Sequence, residues 1–531
     1  LCKPQLQPLF RCRDCCVGET DKKQKQYATE KSKYKFFHDT VYVRQEEYMS
    51  TLEHLYPERV FYYFKQIAAI PHGSGNTKAI SDYLVKFAKE HALTWYQDEA
   101  NNVVLVKEAS KGYEKAPAII IQGHMDMVCE KEKDCNLDMD KEGLRLYVDG
   151  DFLKAEGTTL GGDDGIAVAY GLALLDSTDL PHPALEVVFT VDEETGLLGA
   201  DGFDCSLLKG RRMINLDSEK EGCLWVSCAG GVAGNSYLPV RRVDASGRKV
   251  NVKVCGLVGG HSGAEIHKNR ASANILMGQF LYELSHVCGY ALKELEGGQQ
   301  DNVITKECEA VLLVLPEEIS QITSLAKKMQ KDFRAEYTGT DDTITIQITE
   351  EGDMDAQVLH PTSQEKVLFY LMNMPFGVKK MSGTIENLVE TSCNPGILKL
   401  YGDELFVQTS IRSSVGTAKE ALSHKIQYLT EFLGGEYETE GAYPAWEYRK
   451  ASPLRDKMVE IYKNIYGKDL DVVAIHAGLE CGIFYERMEN LDCTSLGPDI
   501  LDIHTSKERL DMASVKRVWE YLTEVLKNLK D

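Results

Sequence analysis

The chain predicts an α/β fold, built on a mixed, largely parallel central sheet with an inserted α+β lid domain of two ferredoxin-like units. Three observations lead there. From about residue 54 helical and extended patterns alternate; between about 247 and 440 long amphipathic strands and paired helices take over; after 440 the first texture returns. The expected layout is a main domain in two parts, 52–245 and 441–531, interrupted by a lid at 246–440.

The elements follow in order. "PERVFYYFKQIAAIP" and "NTKAISDYLVKFAKEHAL" repeat apolar residues at helical spacing, "NNVVLVKE" and "PAIIIQGHMD" read as strands, "GIAVAYGLALLDS" as a helix and "ALEVVFTVDEETG" as another strand. Strands that alternate with helices form parallel sheets covered on both faces, and such sheets keep their sites at the carboxyl edge. In the lid, "RKVNVKVCGLVGG", a helix from about Asn269 to Leu284, "ECEAVLLVLPEE", the helix "EISQITSLAKKMQKDF" and "TDDTITIQITEE" suggest one βαββαβ unit. The helix "SQEKVLFYLMNM", strands "GILKLYGDE" and "LFVQTSIRSS", a helix from about Ala418 to Phe432 and "EYETEGAYPAW" suggest a second in tandem. The helix "SPLRDKMVEIYKNIYG", the strand "LDVVAIHAGLECGIF" and the helix "SVKRVWEYLTEVLKNL" then complete the main domain.

Composition limits the function classes. At 531 residues with 43% apolar side chains, the chain is long enough for more than one core. No run of eighteen apolar residues and no charged-apolar-small opening occurs, so neither membrane spanning nor export by the usual route is expected. Fifteen scattered cysteines fit reduced thiols in the cytoplasm. A net charge of -22 disfavours nucleic acid and anionic membrane surfaces as partners, and leaves small substrates and metal ions compatible. The first 48 residues differ from the rest, with ten Lys/Arg against seven Asp/Glu; they are expected to be an extension, disordered or not native to the protein. "CRDCC" (Cys12, Cys15, Cys16) lacks a second Cys/His pair at zinc-finger spacing nearby.

Four segments of the main domain place charge at strand ends or in loops: "GHMDM" (His124, Asp126), "TTLGGDDGIAVAYG" (Asp163, Asp164), "TVDEETG" (Asp192, Glu193, Glu194) and "MINLDSE" (Asp217, Glu219). A fifth, "LDIHTSKERL", puts His504 in a loop. Each has an ordinary reading alone. His124 and Asp126 can close a buried strand, Asp163 can cap the helix beginning near Ile166, Glu193 and Glu194 can form a solvated turn, and Asp217 can end a strand. A metal cluster explains all five together, because carboxylates gathered in one cleft repel one another and need cations between them. Imidazole with carboxylate is a ligand set that zinc, cobalt and manganese accept. Two ions about 3.5–4 Å apart, bridged by one carboxylate, would leave a water between them as nucleophile.

In this order, "GHMD", "LGGDDG", "DEETG", "NLDSE", "GGHSGAEIH" and "IHTSKERL" resemble the motifs of the dinuclear zinc dipeptidases. "GGHSGAEIHKNRASAN" and "AIHAGLECGIF" are similar to the cytosolic aminoacyl-histidine dipeptidase branch (Xaa-His dipeptidase, carnosinase-like), and the resemblance runs from about residue 52 to 530. It implies a cytoplasmic metallo-dipeptidase that hydrolyses Xaa-His, such as β-alanyl-histidine, and other unblocked dipeptides with two Zn2+ per chain, Co2+ or Mn2+ being possible substitutes. His124 and Asp217 are then expected on one ion, Glu194 and His504 on the other, and Asp163 between them; a shift by one residue would move the bridge to Asp164. Asp126 would orient His124. Glu193 would be the general base, and His261 would stabilise the oxyanion, from the same chain or from a partner in a homodimer. Both a monomer and a homodimer are compatible.

For the substrate ends, Arg412 in "VQTSIRSS" is expected to clamp the free carboxylate through two parallel hydrogen bonds, or else is an exposed strand arginine. Glu480 is expected to receive the ammonium group, His476 to line the same pocket, and Asn302 and Asn387 to make contacts from the lid. Met125 and Met127 should face apolar neighbours. A related amidohydrolase or tripeptidase, or an inactive metal-binding homologue, would use the same residues. Glu193 argues against the last, since metal binding needs no water-activating base.

Overall fold

A computed structural model describes residues 54–530, so the expected extension at 1–48, with Cys12, Cys15 and Cys16, lies outside the described residues. The described chain opens with α1 (Glu58–Ala68) and α2 (Lys78–Glu90). Their apolar positions recur every three or four residues and bury Phe61, Phe64 and Ile67 on the first, Ile80, Leu84 and Ala88 on the second. Then come β1 (Thr94–Gln97), β2 (Val103–Lys107), β3 (Ile119–His124), α3 (Gly162–Asp176), β4 (Leu185–Thr190), β5 (Arg212–Asn215) and β6 (Cys223–Cys228). α3 is apolar all round and is buried from Gly162 to Leu175, as a helix must be that lies between a sheet and other helices. Gly171 lets it sit directly on the sheet, where a Cβ would stand 2.7 Å from the Phe189 ring.

A second sheet follows. It is built from β7 (Gly230–Pro239), β8 (Arg242–Cys255), α4 (Ala273–Ser285), β9 (Tyr290–Gly297), β10 (Cys308–Val314), α5 (Ile319–Glu336), β11 (Thr345–Leu359), α6 (Pro361–Asn373), β12 (Gly377–Met381), β13 (Val389–Tyr401), β14 (Glu404–Ser413), α7 (Gly416–Phe432) and β15 (Glu436–Tyr443). The chain returns through α8 (Pro453–Tyr466), β16 (Asp471–Ile475), β17 (Asp492–Ser495) and α9 (Met512–Asn528). The boundaries of α8 are written in its sequence. Ser452 Oγ accepts from the Arg455 N–H, Pro453 opens the first turn, and Gly467 closes the helix at φ 67°.

The first sheet runs β1-β2-β4-β3-β5-β17-β6-β16. β3 is parallel to both β4 and β5, β5 to β17, and β6 to β16; β1, β2 and β4 pair antiparallel, as do β17 and β6. This is the expected α/β class with a mixed, largely parallel sheet. Met125 joins its main core, while Met127 packs with Leu137 and Met139. Among the described residues no helix is long and apolar enough to cross a membrane.

The second sheet is antiparallel and runs β11-β8-β10-β9-β13-β14-β7-β15, with β12 on β13. β8, β9, β10 and β11, with α4 and α5, have the ferredoxin-like order 4-1-3-2, and β7, β13, β14 and β15, with α6 and α7, repeat it. The two join where β9 pairs β13. They are nested rather than in tandem from residue 246: the first strand of the outer unit, β7, precedes the whole inner unit. That strand reads "GGVAGNSYLP", too rich in glycine to look extended. Its glycines make room for tyrosines, since Cβ atoms at Gly231 and Gly234 would collide with the rings of Tyr443 and Tyr437 on β15. A further correction concerns "LDVVAIHAGLECGIF", where only Asp471–Ile475 is strand and Cys481–Arg487 is helix.

Candidate active site

β4, β3 and β5 lie side by side and parallel, so their carboxyl ends bring three charged segments to one edge of the first sheet. β3 ends at His124; the turn after β4 carries Asp192, Glu193 and Glu194; Asp217 lies just past β5. The first residues of α3 add Asp163 and Asp164, which depart from helical geometry and are joined by a cis peptide. His504 comes from the connection between the paired strands Ile500–Leu501 and Arg509–Asp511.

The five expected ligands meet. Asp163 divides its carboxylate: Oδ1 lies 3.3 Å from His124 Nε2 and Oδ2 lies 3.1 Å from His504 Nε2. Asp217 Oδ1 is 3.8 Å from His124 Nε2, and Glu194 Oε1 is 2.9 Å from His504 Nε2. Asp164 is occupied differently, since its Oδ2 accepts the His124 backbone N–H at 3.2 Å. Asp126 stands behind His124, 3.4 Å from Nδ1, with its own backbone carbonyl 3.0 Å from the same nitrogen. Its two carboxylate oxygens accept from Ser74 Oγ (2.8 Å) and the Glu193 N–H (3.1 Å).

Charge in this cluster is poorly balanced. Burial alone would keep His124 neutral, but Asp126, Asp163 and Asp217 hold it well above the usual histidine range. Hydrogen bonds to Asp163 and Glu194 raise His504 to about 10. Burial opposes ionisation of Asp163, yet the two imidazoles hold it low, while burial pushes Asp164 and Asp217 well up. Burial, and then the carboxylates of Glu480, Glu194 and Asp163, push Glu193 up to about 8. Protons thus stand where cations would serve. Asp217 Oδ2 is buried without a hydrogen-bond partner. Three groups bring their ligand atoms within 4.8 Å of one another: Asp163 with Glu194 and His504, His124 with Asp164 and Asp217, and His124 with Glu193 and Glu194. Such an imidazole and carboxylate set suits divalent ions.

Supporting residues escaped the sequence reading. Glu508, 3% exposed, accepts from the backbone N–H groups of Leu160, Gly161, Gly162 and Asp163 at 2.8, 3.1, 2.8 and 3.3 Å, and so holds the loop that presents Asp163. Its only sequence signal was position, four residues after His504 in the same motif. Glu480 requires a correction. It is fully buried; its Oε2 accepts from Gln122 Nε2 (2.5 Å) and Thr190 Oγ1 (2.6 Å), bracing the ends of β3 and β4, while Oε1 has no hydrogen-bond partner, so the carboxylate lies within the core rather than on an open surface.

Of the remaining candidates, His261, Arg412, Asn302 and Asn387 lie on the second sheet and its connections, while His476 directly follows β16 of the first. His261 Nδ1 accepts from the N–H groups of Gly263 (3.3 Å) and Ala264 (3.0 Å), so its ring proton sits on Nε2; burial and Arg412 keep the ring neutral. Arg412 and Asn302 line one cavity of about 420 Å³. His476 donates to or accepts from Ser392 Oγ at 2.7 Å, and burial, Arg412 and His261 push it down to about 3. Asn387 does not join them; it is an exposed loop residue at φ 61°.

A mixed sheet with imidazoles and carboxylates gathered at its strand ends, beside a double ferredoxin-like sheet, is the build of a peptide hydrolase, and the chain belongs to peptidase family M20/M25/M40, which it matches over residues 120–528. It is 32% identical to the cytosol non-specific dipeptidase of Escherichia coli (strain K12) over 483 residues, 91% of this chain and 99% of that relative. The crystal structure of aminoacylhistidine dipeptidase from Vibrio alginolyticus superposes with a TM-score of 0.84 at 33% identity, covering 90% of this chain and 98% of that one. Aminopeptidase PepT from Bacillus cereus shares the fold, with a TM-score of 0.53 at 14% identity over 90% of this chain and all of that one.

Proposed function

We propose that the protein is a metal-dependent dipeptidase of the cytoplasm, hydrolysing Xaa-His dipeptides such as β-alanyl-histidine and other unblocked dipeptides. The observation that carries this is the divided carboxylate of Asp163, one oxygen facing His124 and the other His504. The two relatives named for dipeptides, one of them for aminoacylhistidine, support the substrate class. His124 and Asp217 would hold one ion, Glu194 and His504 the other, and Asp163 both. Zinc suits that donor set, with Co2+ or Mn2+ able to replace it. Bound there, the ions would supply Lewis acidity and make water easier to deprotonate.

The chain's own residues divide the remaining work. Glu193 takes a proton from the attacking water as its oxygen adds to the peptide carbonyl carbon, then gives it to the nitrogen as the C–N bond breaks. Asp126 and its backbone carbonyl keep His124 Nδ1 engaged, which leaves Nε2 for ligation. His261 offers an Nε2–H to the developing oxyanion, because two backbone donors occupy its other nitrogen. Arg412, which has no carboxylate partner among the ion pairs of the described residues, receives the substrate's free carboxylate. Residues 246–440, together with β7, act as the lid.

Elemental analysis with a substrate panel tests this. Two ions per chain and turnover of unblocked dipeptides, with little on N-acetylated dipeptides or tripeptides, are expected. One ion or none, or a preference for tripeptides or blocked amides, overturns the proposal.

A further inference from the structure

We infer that Tyr443 is a substrate-binding residue, its hydroxyl donating a hydrogen bond to the substrate's free carboxylate beside Arg412. This rests on the reading of Arg412 given above and extends it to a second group.

The position of the ring is over-determined. Tyr443 ends β15, paired with Gly231 of β7, and a Cβ at Gly231 would collide with the ring. On its other side a Cβ at Gly478 would lie 2.8 Å from Cε2. Two glycines, one from the second sheet and one from the segment between His476 and Glu480, therefore leave a slot that the ring fills. Lys419 Nζ donates to the Tyr443 carbonyl at 2.6 Å and fixes the backbone as well.

The hydroxyl has a proton left over. Arg412 Nη1 lies 2.8 Å from Tyr443 Oη. A guanidinium can only donate, so the tyrosine oxygen is the acceptor in that bond and its own O–H must point elsewhere. Among the described residues no acceptor meets it. Burial keeps the phenol protonated, although Arg412 works in the opposite direction. Arg412 Nε is a second buried donor with no partner. Both side chains line the same cavity of about 420 Å³, with Asn302, Ser410 and the carboxylates Asp301 and Glu440 also on its wall. Two neighbouring unused donors, one of them cationic, match the two oxygens of a carboxylate.

The test compares the metal-loaded full chain with Tyr443→Phe, Arg412→Gln and the double variant, each on a dipeptide and on its C-terminal amide. Tyr443→Phe should raise KM for the free acid about 10-fold, with kcat within about 2-fold and a smaller rise on the amide, whose neutral carbonyl is the weaker acceptor. The double variant should be weaker on the acid than Arg412→Gln alone, because Tyr443 makes its own contact. An unchanged KM in Tyr443→Phe, an equal penalty on acid and amide, or a double variant no weaker than Arg412→Gln overturns the inference while leaving Arg412 in place. An Arg412→Gln protein that still prefers the acid over the amide overturns the Arg412 reading, and this inference with it. Melting temperatures of all variants, expected within about 1 °C of the parent, separate a binding defect from a folding defect.

Discussion

Glu508→Gln tests how the Asp163 carboxylate, proposed to bridge the two ions, is held in place. The Glu508 side chain is buried, with Oε2 facing the N–H groups of Leu160 and Gly161 and Oε1 facing those of Gly162 and Asp163. An amide keeps one acceptor oxygen and turns an NH2 group against the other pair of donors. Burial, and then Asp163, push Glu508 up to about 7, so the comparison is made at about pH 8, where two bonds to a charged acceptor are lost at about 1.5–3 kcal/mol each, about 3 kcal/mol at the low end of that range. In thermal unfolding of the metal-free protein, with an unfolding entropy of about 2.1 cal/mol/K per residue over the whole chain, this corresponds to a Tm lower by roughly 3 °C. The loop carries Asp163, so zinc affinity measured by competition with a chelating dye should also fall, by about 10-fold or more. A variant whose Tm stays within about 1 °C of the parent and whose zinc affinity is unaltered would refute the reasoning: the loop would then hold its shape without the carboxylate.

Three further outcomes are expected. Glu193→Gln should lower kcat by about 10²–10⁴-fold while elemental analysis finds the metal content unchanged; a variant with full kcat would remove Glu193 from the base role. His476 is pushed down to about 3, against about 6.5 when unfolded, so between those values the unfolded chain binds more protons and the native state loses stability as pH falls. The loss is at most about 5 kcal/mol by pH 3, and urea midpoints for His476→Gln should show a shallower fall from pH 6.5 to 4 than the parent; parallel curves would contradict it. Gly171→Ala forces a Cβ against Phe189 and Val187 where α3 meets the sheet, and should cost about 1–3 kcal/mol in urea unfolding, whereas a neutral result would mean α3 can shift without penalty.

What the sequence made legible follows from what is local. Amphipathic helices such as α1 and α2, and strands that end in charged residues such as β3, announce themselves through periodicity. The candidate ligand segments were visible because four of the five sit directly at a strand end or at the start of a helix, with His504 in the connection between two short strands. Three kinds of feature were not visible. β7 hides because its glycines answer to tyrosines about two hundred residues away in sequence. The burial of Glu480 depends on Gln122 and Thr190, from two other strands, and a lone glutamate in "HAGLECG" carries no sign of them. Tyr443 acquires its meaning only from donor counting at Arg412, which needs coordinates. Patterns of period two or 3.6 report an element's own face, and a neighbour's demands leave no period.

The nesting of the two ferredoxin-like units bears on how the chain can be made. The inner unit, from β8 to β11, is contiguous in sequence and can close as soon as its residues exist, whereas β7 waits with both edges bare until β14 and β15 have been synthesised. The first sheet waits longer still, because β17 inserts between β5 and β6 and the loop bearing His504 comes after it. On the proposed ligand set, metal capture is thereby deferred to the end of folding. A nascent chain carries His124, Asp163, Glu194 and Asp217 for a long interval without the geometry to retain a second ion, and any defect in the outer unit delays the protein before it can acquire hydrolytic power.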